Sequence, residues 1–185
     1  MPFLPSIPED AKVPHVLALF SDLGSRAGRP LIEFHEALLR GESPFTVPQR
    51  EMMAAFVSGI NACQYCYGAH TASSKQFGVP EQLIVDLVAN IDTTQIDEEM
   101  KPVLHYLRKL TLTPTKLTQA DADAVFAAGW DERALYDAVL VGCLYILRSC
   151  VSKAANARRY VSWTRSSAVW LSRAIPRATP DTTSR

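Results

Sequence analysis

The chain has 185 residues, of which 48% are hydrophobic and 21% charged, and its formal net charge is +0 at pH 7. This balance predicts one domain with a buried core and excludes the strongly basic surface of a nucleic-acid-binding protein. No apolar run approaches the length of a membrane-spanning helix, and the N-terminus lacks a signal-peptide pattern, so we expect a cytoplasmic protein with neither a nucleic-acid nor a membrane partner.

The N-terminal part of the chain is predicted to be an extended arm, with four prolines, followed by helices. Residues 1–14 contain these prolines, which favours an extended arm rather than a helix. Apolar residues at helical spacing then predict helices over residues 15–23 and 29–40. Glu33 and His35 in the second helix lie on different faces, and we expect them to be solvated or structurally bonded rather than to form a site.

A helical hairpin is predicted next. Thr46 and Gln49 form a capping-box pattern, with Pro48 in the first turn of the helix that follows. This helix is expected to end near residues 59–61, where Gly tolerates a left-handed termination and Asn suits the start of a helix. The second helix is predicted over residues 62–77.

The hairpin brings together four side chains with related chemistry. If the second helix includes Cys63, then Cys63, Cys66 and His70 lie at i, i+3 and i+7 on one face. Folding the two helices back on each other near Ile60 brings Glu51 level with His70. The sequence therefore predicts a cluster of two thiols, an imidazole and a carboxylate.

These residue types suit thiol redox chemistry. A helix N-terminus, a nearby imidazole and a Cys-x-x-Cys partner each lower the pKa of a thiol and so favour the nucleophilic thiolate. A carboxylate bonded to the imidazole fixes its tautomer and raises its basicity. A thiolate can attack a peroxide O–O bond, and a second thiol can convert the resulting sulfenic acid to a disulfide.

The remaining pattern is helical to about residue 157. Helices are predicted from Pro80, from Asp97, where Pro102 is an alternative start, from Thr118 to Ala128, and after Asp131. The last helix is apolar nearly all round in its middle, so we expect it to be buried on several sides and shared between subunits of a homo-oligomer.

The two other cysteines and the end of the chain receive separate predictions. Cys143 and Cys150 lie on the last helix and are expected to be buried and inert. Residues 1–157 are predicted to form a single all-α domain, a compact helical bundle built around the antiparallel hairpin. Residues 158–185 are predicted to be a C-terminal extension with a disordered end.

The run from Glu51 through Cys63, Cys66 and His70 resembles the core of the alkylhydroperoxidase D family in the carboxymuconolactone decarboxylase superfamily, and more narrowly its peroxidase-related branch. The close resemblance covers residues 46–90, and a looser similarity in helix order extends to about residue 157. It implies an oligomeric all-α antioxidant enzyme in which Cys66 reacts with a hydroperoxide, Cys63 resolves the sulfenate, and Glu51 and His70 relay the proton through a water.

This chain departs from the family pattern at one position, and the resemblance does not identify the reductant. The best-studied members carry a second histidine where this chain has Tyr65, which is expected to donate a hydrogen bond rather than act as a base. Tyr67, beside Cys66, is predicted to line the pocket or to pack in the core. The disulfide would be returned to thiols by a protein or small-thiol reductant. We predict no organic cofactor, since the chain lacks a dinucleotide-binding motif.

Three other functions fit parts of the pattern. The two thiolates, the imidazole and Glu51 could hold a structural zinc ion, although the carboxylate would compete for the same histidine nitrogen. A non-redox enzyme of the wider superfamily, such as a lactone decarboxylase, would leave both thiols unexplained. A scaffold or stress-response protein with a vestigial motif would have an unreactive Cys66. Our prediction is a thiol-dependent hydroperoxidase without a bound metal.

Overall fold

The structure, a computed structural model, describes residues 27–154, and within them seven α-helices form a bundle without β-strands. The predicted all-α fold is confirmed. The arm over residues 1–14, the helix over residues 15–23 and the extension over residues 158–185 lie outside the described residues. The helices are α1 (Gly28–Arg40), α2 (Val47–Ile60), α3 (Gln64–Gln76), α4 (Glu81–Ala89), α5 (Met100–Leu112), α6 (Gln119–Ala127) and α7 (Glu132–Ala154), and a short 3₁₀-helix spans Pro114–Lys116.

Helix α2 is the central element of the bundle. Its predicted capping box forms, because Thr46 N–H donates to Gln49 Oε1 at 2.8 Å and Gln49 N–H donates to Thr46 Oγ1 at 3.4 Å. Residues 50–58 are all buried, and α2 packs against α1, α3, α4, α5 and α7. A helix enclosed on all sides can hold a polar group in a fixed position away from water, and α2 contributes Glu51 in this way.

The turn between α2 and α3 differs from the prediction. The residue with left-handed geometry is Ala62, with φ of 49°, and Gly59 stays helical. Gly59 is small for a packing reason, since Val88 and the Tyr67 ring lie directly over it. Asn61 does not start the next helix, because its side chain donates to Val57 O at 3.0 Å and closes α2. Helix α3 therefore begins at Gln64 rather than near Ala62.

The predicted helices in the second half of the chain are present. Thr118 and Asp121 form a capping box for α6, and Gly129 follows it with φ of 98°. Asp131 caps α7, because its carboxylate accepts the Ala134 N–H at 2.8 Å. Helix α5 begins at Met100 with Pro102 in its first turn, where the missing N–H is tolerated. The Asp131 cap fixes the start of α7, which is the helix that covers the cysteines.

The orientation of α7 corrects one prediction. Cys143 and Cys150 are exposed, so the expectation that they are buried core cysteines is wrong. The face that turns inward contains Val141, Tyr145 and Ser149 instead. Because the middle of this helix is apolar nearly all round, its sequence does not show which face packs against the core.

Helix α7 contains a longer apolar segment than we expected from the sequence. By length and composition alone it could cross a membrane, contrary to the expectation from sequence. A core helix meets the same criteria, and α7 packs against α2 and α5. Tyr136 and Leu147 on α7 are 60% and 47% exposed. The homo-oligomer predicted from this helix stays a prediction.

The close packing at Gly59 can be tested by adding one methyl group. A Cβ at this position would lie 2.7 Å from Val88 Cγ2 and 3.1 Å from Tyr67 Cδ2. We expect Gly59→Ala to lower the free energy of unfolding by about 1–3 kcal/mol, measured by denaturant titration. The loss should be smaller when Val88→Ala removes the opposing methyl group, and an equal loss in both backgrounds would contradict this packing.

Candidate active site

The site is centred on the buried carboxylate of Glu51. One oxygen accepts a hydrogen bond from Arg40 Nη2, and the other lies 2.7 Å from His70 Nδ1. Glu51 is 0% exposed, so neither oxygen contacts solvent. The structure thus brings Glu51 and His70 into contact, as the fold-back of α2 and α3 predicted, and adds Arg40 as a third member.

The charges around Glu51 determine its protonation. Burial by itself raises the pKa of this carboxyl, but the charge and hydrogen bond of His70 and those of Arg40 outweigh burial and lower the pKa to about 2. Because Glu51 is ionised and can only accept, Nδ1 of His70 must carry the shared proton. The opposite nitrogen, Nε2, is therefore left able to accept a proton.

Arg40 reaches Glu51 from the end of α1, and a second arginine fixes that end. The buried Arg50 guanidinium donates to Leu38 O and to Gly41 O, each at 2.8 Å. The Arg40 guanidinium also lies 5.4 Å from the centre of the Phe77 ring. Sequence reasoning did not identify Arg40, because a basic residue in the last turn of a helix is explained by the helix dipole alone.

Cys63 occupies the N-cap of α3 rather than a position inside the helix. Its sulfur accepts the Cys66 N–H at 3.4 Å. This corrects the prediction of three residues on one helical face: Cys66 and His70 lie one turn apart on α3, and Cys63 precedes the first turn. The left-handed Ala62 produces the change by turning the chain just before Cys63. Both sulfurs remain together, and the two residues are only 3% and 2% exposed.

The Cys63 and Cys66 thiols differ in acidity because a hydrogen bond between them acts on the two pKa values in opposite directions. The hydrogen bond from the Cys66 thiol is the largest influence on Cys63 and, with the Cys66 N–H and the Ser152 and Ser149 hydroxyls, lowers the pKa of Cys63 to about 6 despite burial. The same bond and burial raise the pKa of Cys66. The first thiolate of the pair therefore forms on Cys63.

Helix α7 supplies a polar face that covers the cysteines. Tyr145, Arg148, Ser149 and Ser152 lie at i, i+3, i+4 and i+7, which places them on one side of the helix. Ser152 Oγ is 3.4 Å from Cys66 Sγ. Sequence reasoning missed these residues, although polar side chains at helical spacing on an otherwise apolar helix were the available signal.

Two further rings enclose His70. The Tyr145 ring lies edge-on to His70 with centroids 4.4 Å apart, and the His35 ring lies 5.9 Å from His70. His35 is thus beside the site, whereas Glu33 pairs with Arg29 at the surface. Burial, followed by the charge of Arg148, lowers the pKa of His35 to about 3, so this imidazole is neutral at physiological pH.

The two predicted tyrosines have different surroundings. Tyr67 lines an open cleft of ≈ 300 Å³ together with Cys63, Gln64 and Val88, and it also packs against the core. Burial raises the pKa of Tyr65 to about 12, which keeps its phenol protonated. The cleft is a route by which a molecule from solvent can approach Cys63.

The zinc site considered as an alternative requires several ligand side chains arranged around one point. Among residues 27–154, no group of three or more His, Cys, Asp and Glu side chains has an arrangement that could hold a metal ion. The two carboxylate oxygens of Glu51 are already hydrogen-bonded to Arg40 and His70. The side chains present therefore do not fit the zinc site considered as an alternative.

We predict that Glu51→Gln destabilises the fold by about 3 kcal/mol at pH 7, because it leaves the partly buried Arg40 charge without its buried counter-ion. The lowered pKa of Glu51 means that its contribution is present above about pH 4.5 and is lost as the pH falls toward about 2. Denaturant titrations across this range should show the difference from wild type shrinking. The exposed Glu36→Gln is the control, and a difference independent of pH would contradict the ion pair.

We also predict that the Cys63 thiol is alkylated with an apparent pKa of about 6. The measurement follows alkylation against pH in a Cys143→Ser/Cys150→Ser variant, which removes the two exposed thiols. Adding Cys66→Ala removes the thiol donor and should raise the pKa of Cys63 toward the value of a free cysteine, about 8.5. An unchanged pKa after this substitution would show that Cys66 does not stabilise the thiolate.

Known proteins resemble this chain in sequence and in fold. The carboxymuconolactone decarboxylase family model matches residues 26–109. The uncharacterized protein YdfG of Bacillus subtilis (strain 168) is 29% identical over 92 residues, which cover 50% of this chain and 63% of YdfG. The chain thus matches less than two thirds of that relative.

Two solved structures share the fold over most of the chain. An uncharacterized peroxidase-related protein from Silicibacter sp. TM1040 is 25% identical with a TM-score of 0.71, over 84% of this chain and 87% of its own. An alkylhydroperoxidase AhpD core protein from Ralstonia eutropha JMP134, also described as peroxidase-related, is 20% identical with a TM-score of 0.71, over 78% and 76%. Residues 26–109 thus resemble the carboxymuconolactone decarboxylase family, and the fold is that of the alkylhydroperoxidase D-like, peroxidase-related proteins.

Proposed function

We propose that this protein reduces hydroperoxides with the Cys63 and Cys66 thiols. The observation that carries the proposal is a buried pair of cysteines at the start of α3, in which Cys63 Sγ accepts the Cys66 N–H, beside a histidine of α3 held by a carboxylate. The similarity to proteins described as peroxidase-related supports the same chemistry. The two thiols supply the two electrons that a peroxide needs for reduction.

The first step is attack by Cys66 on the peroxide. Cys66 holds its proton more firmly than Cys63 does, so the attack requires a base, and His70 held by Glu51 takes this proton and leaves the thiolate on Cys66. A new S–O bond then forms as the O–O bond breaks, so Cys66 becomes a sulfenic acid and the remaining oxygen leaves as an alkoxide. The alkoxide takes up a proton to give the alcohol.

The second step is resolution by Cys63. Its sulfur attacks the sulfenic sulfur, an S–S bond replaces the S–O bond, and hydroxide leaves and is protonated to water. Because the N-cap position and the surrounding donors already favour a thiolate at Cys63, this nucleophile is available at neutral pH. The dithiol has then been oxidised to a disulfide and the hydroperoxide reduced to an alcohol and water.

Glu51 and His70 supply the proton movements that these steps require. With Nδ1 bonded to the Glu51 carboxylate, Nε2 of His70 can take a proton from a thiol through a water and return it to a leaving oxygen. Arg40 keeps Glu51 ionised and so keeps the histidine in this tautomer. The pair therefore acts as a relay that changes protonation without changing position.

The reductant is proposed to reach the disulfide through the cleft at Cys63. This cleft is formed by Gly59, Ala62, Cys63, Gln64, Tyr67 and Val88, and its volume of ≈ 300 Å³ admits a small thiol or an extended side chain of a partner protein. Attack there would release Cys66 as a thiol and return the pair to its reduced form after one further exchange. The hydroperoxide and a thiol reductant are thus the partners of the proposed reaction.

We predict that single-cysteine variants separate the two roles. In the Cys143→Ser/Cys150→Ser background, Cys63→Ser should accumulate a sulfenic acid on Cys66 after reaction with an organic hydroperoxide, because the resolving thiol is missing. Cys66→Ser should form no sulfenic acid and should abolish peroxide consumption coupled to a thiol reductant.

Sulfenic acid is measured by trapping with a carbon nucleophile and mass spectrometry of the labelled peptide. Retained peroxide turnover in Cys66→Ser would contradict the proposed role of Cys66. The Cys143→Ser/Cys150→Ser variant itself is the control, and it should keep the wild-type rate because both substituted residues lie on the exposed face of α7.

A further inference from the structure

The hydroxyl group of Tyr145 is one of several buried polar groups of residues 27–154 that have an atom without a hydrogen-bond partner. Tyr145 is 0% exposed, and its hydroxyl oxygen has no hydrogen-bond partner within residues 27–154. Leaving a buried hydroxyl unpaired costs free energy that a phenylalanine at the same position would not incur. The packing of the ring explains an aromatic residue here, but it does not explain the hydroxyl.

The surroundings of Tyr145 connect it with the reacting groups. Its ring lies edge-on to the His70 ring, with the ring centroids 4.4 Å apart, and its centroid lies 6.3 Å from that of the His35 ring. On the same face of α7, two turns further, Ser152 Oγ lies 3.4 Å from Cys66 Sγ. The ring that carries the hydroxyl is therefore part of the wall that surrounds Cys66 and His70.

The Tyr145 ring belongs to the hydrophobic core, and the charged groups of the site act on its hydroxyl. The charges of Arg148, Glu51, Cys66 and Arg40 all act on it, and burial raises the pKa of this phenol well above its ordinary value. Tyr145 therefore keeps its proton at any working pH and is available only as a neutral donor or acceptor. A neutral donor can stabilise a developing negative charge without itself losing a proton.

We propose that Tyr145 is a catalytic residue whose O–H donates a hydrogen bond to the peroxide oxygen that leaves when Cys66 attacks. This inference rests on the proposed function and adds a transition-state donor to it. As the S–O bond forms and the O–O bond breaks, negative charge grows on the leaving oxygen, and a fixed donor in a water-poor site is most effective at that moment. The proton that completes the alcohol comes from the relay, and Tyr145 retains its own.

Tyr145→Phe tests this role because it removes the hydroxyl and keeps the ring contacts with His70 and His35. In the Cys143→Ser/Cys150→Ser background, we expect the single-turnover rate of thiol loss with an organic hydroperoxide to fall by about 10- to 100-fold. The melting temperature should stay the same or rise, since an unpaired buried hydroxyl has been removed. Alkylation of the thiols by iodoacetamide should keep its rate, because that reaction releases no oxygen anion.

Tyr106→Phe is the matched control, since Tyr106 packs against the core from α5 and lies outside the site. A Tyr145→Phe variant that is oxidised at the wild-type rate would overturn the donor role and leave the proposed function intact. A parallel loss of stability, alkylation and oxidation would also overturn it, by showing a structural role. If the unsubstituted protein does not lose thiols to hydroperoxide, the proposed function fails and the donor role fails with it.

Discussion

The buried carboxylate of Glu51 is the interaction on which the site depends. An ionised carboxylate without solvent contact is stable only if it is paired with a charge and hydrogen-bonded; Arg40 of α1 supplies the charge and His70 of α3 a hydrogen bond. Three helices are thus joined at one charged group, with Arg50 holding the end of α1 in place. The same contacts that stabilise the packing fix the tautomer of His70, so the fold and the proposed proton relay share one constraint.

The start of α3 links local backbone geometry to thiol chemistry. A helix N-terminus leaves N–H groups unpaired, and a side chain at the N-cap normally satisfies one of them. Here the cap is Cys63, so the sulfur accepts a backbone N–H at the positive end of the helix dipole. The arrangement favours a thiolate at a defined position next to the second thiol.

The sequence predicted the parts of this structure that depend on neighbouring residues. The capping box of Thr46 and Gln49, the hairpin and the contact between Glu51 and His70 all follow from local signals and from folding two adjacent helices together. It did not predict Arg40, His35 and the polar face of α7, since these reach the site from helices whose docking depends on the whole core. For the same reason the inward face of α7 was misassigned, and Cys143 and Cys150 proved to be exposed.

The most direct test of the account is a thiol count and mass measurement on the Cys143→Ser/Cys150→Ser protein before and after one equivalent of an organic hydroperoxide. We expect loss of both remaining thiols and a mass decrease of two hydrogens, which corresponds to a disulfide between Cys63 and Cys66. Persistence of both thiols with an unchanged mass would contradict a peroxide-reactive pair and would leave the charged network around Glu51 without the redox role assigned to it.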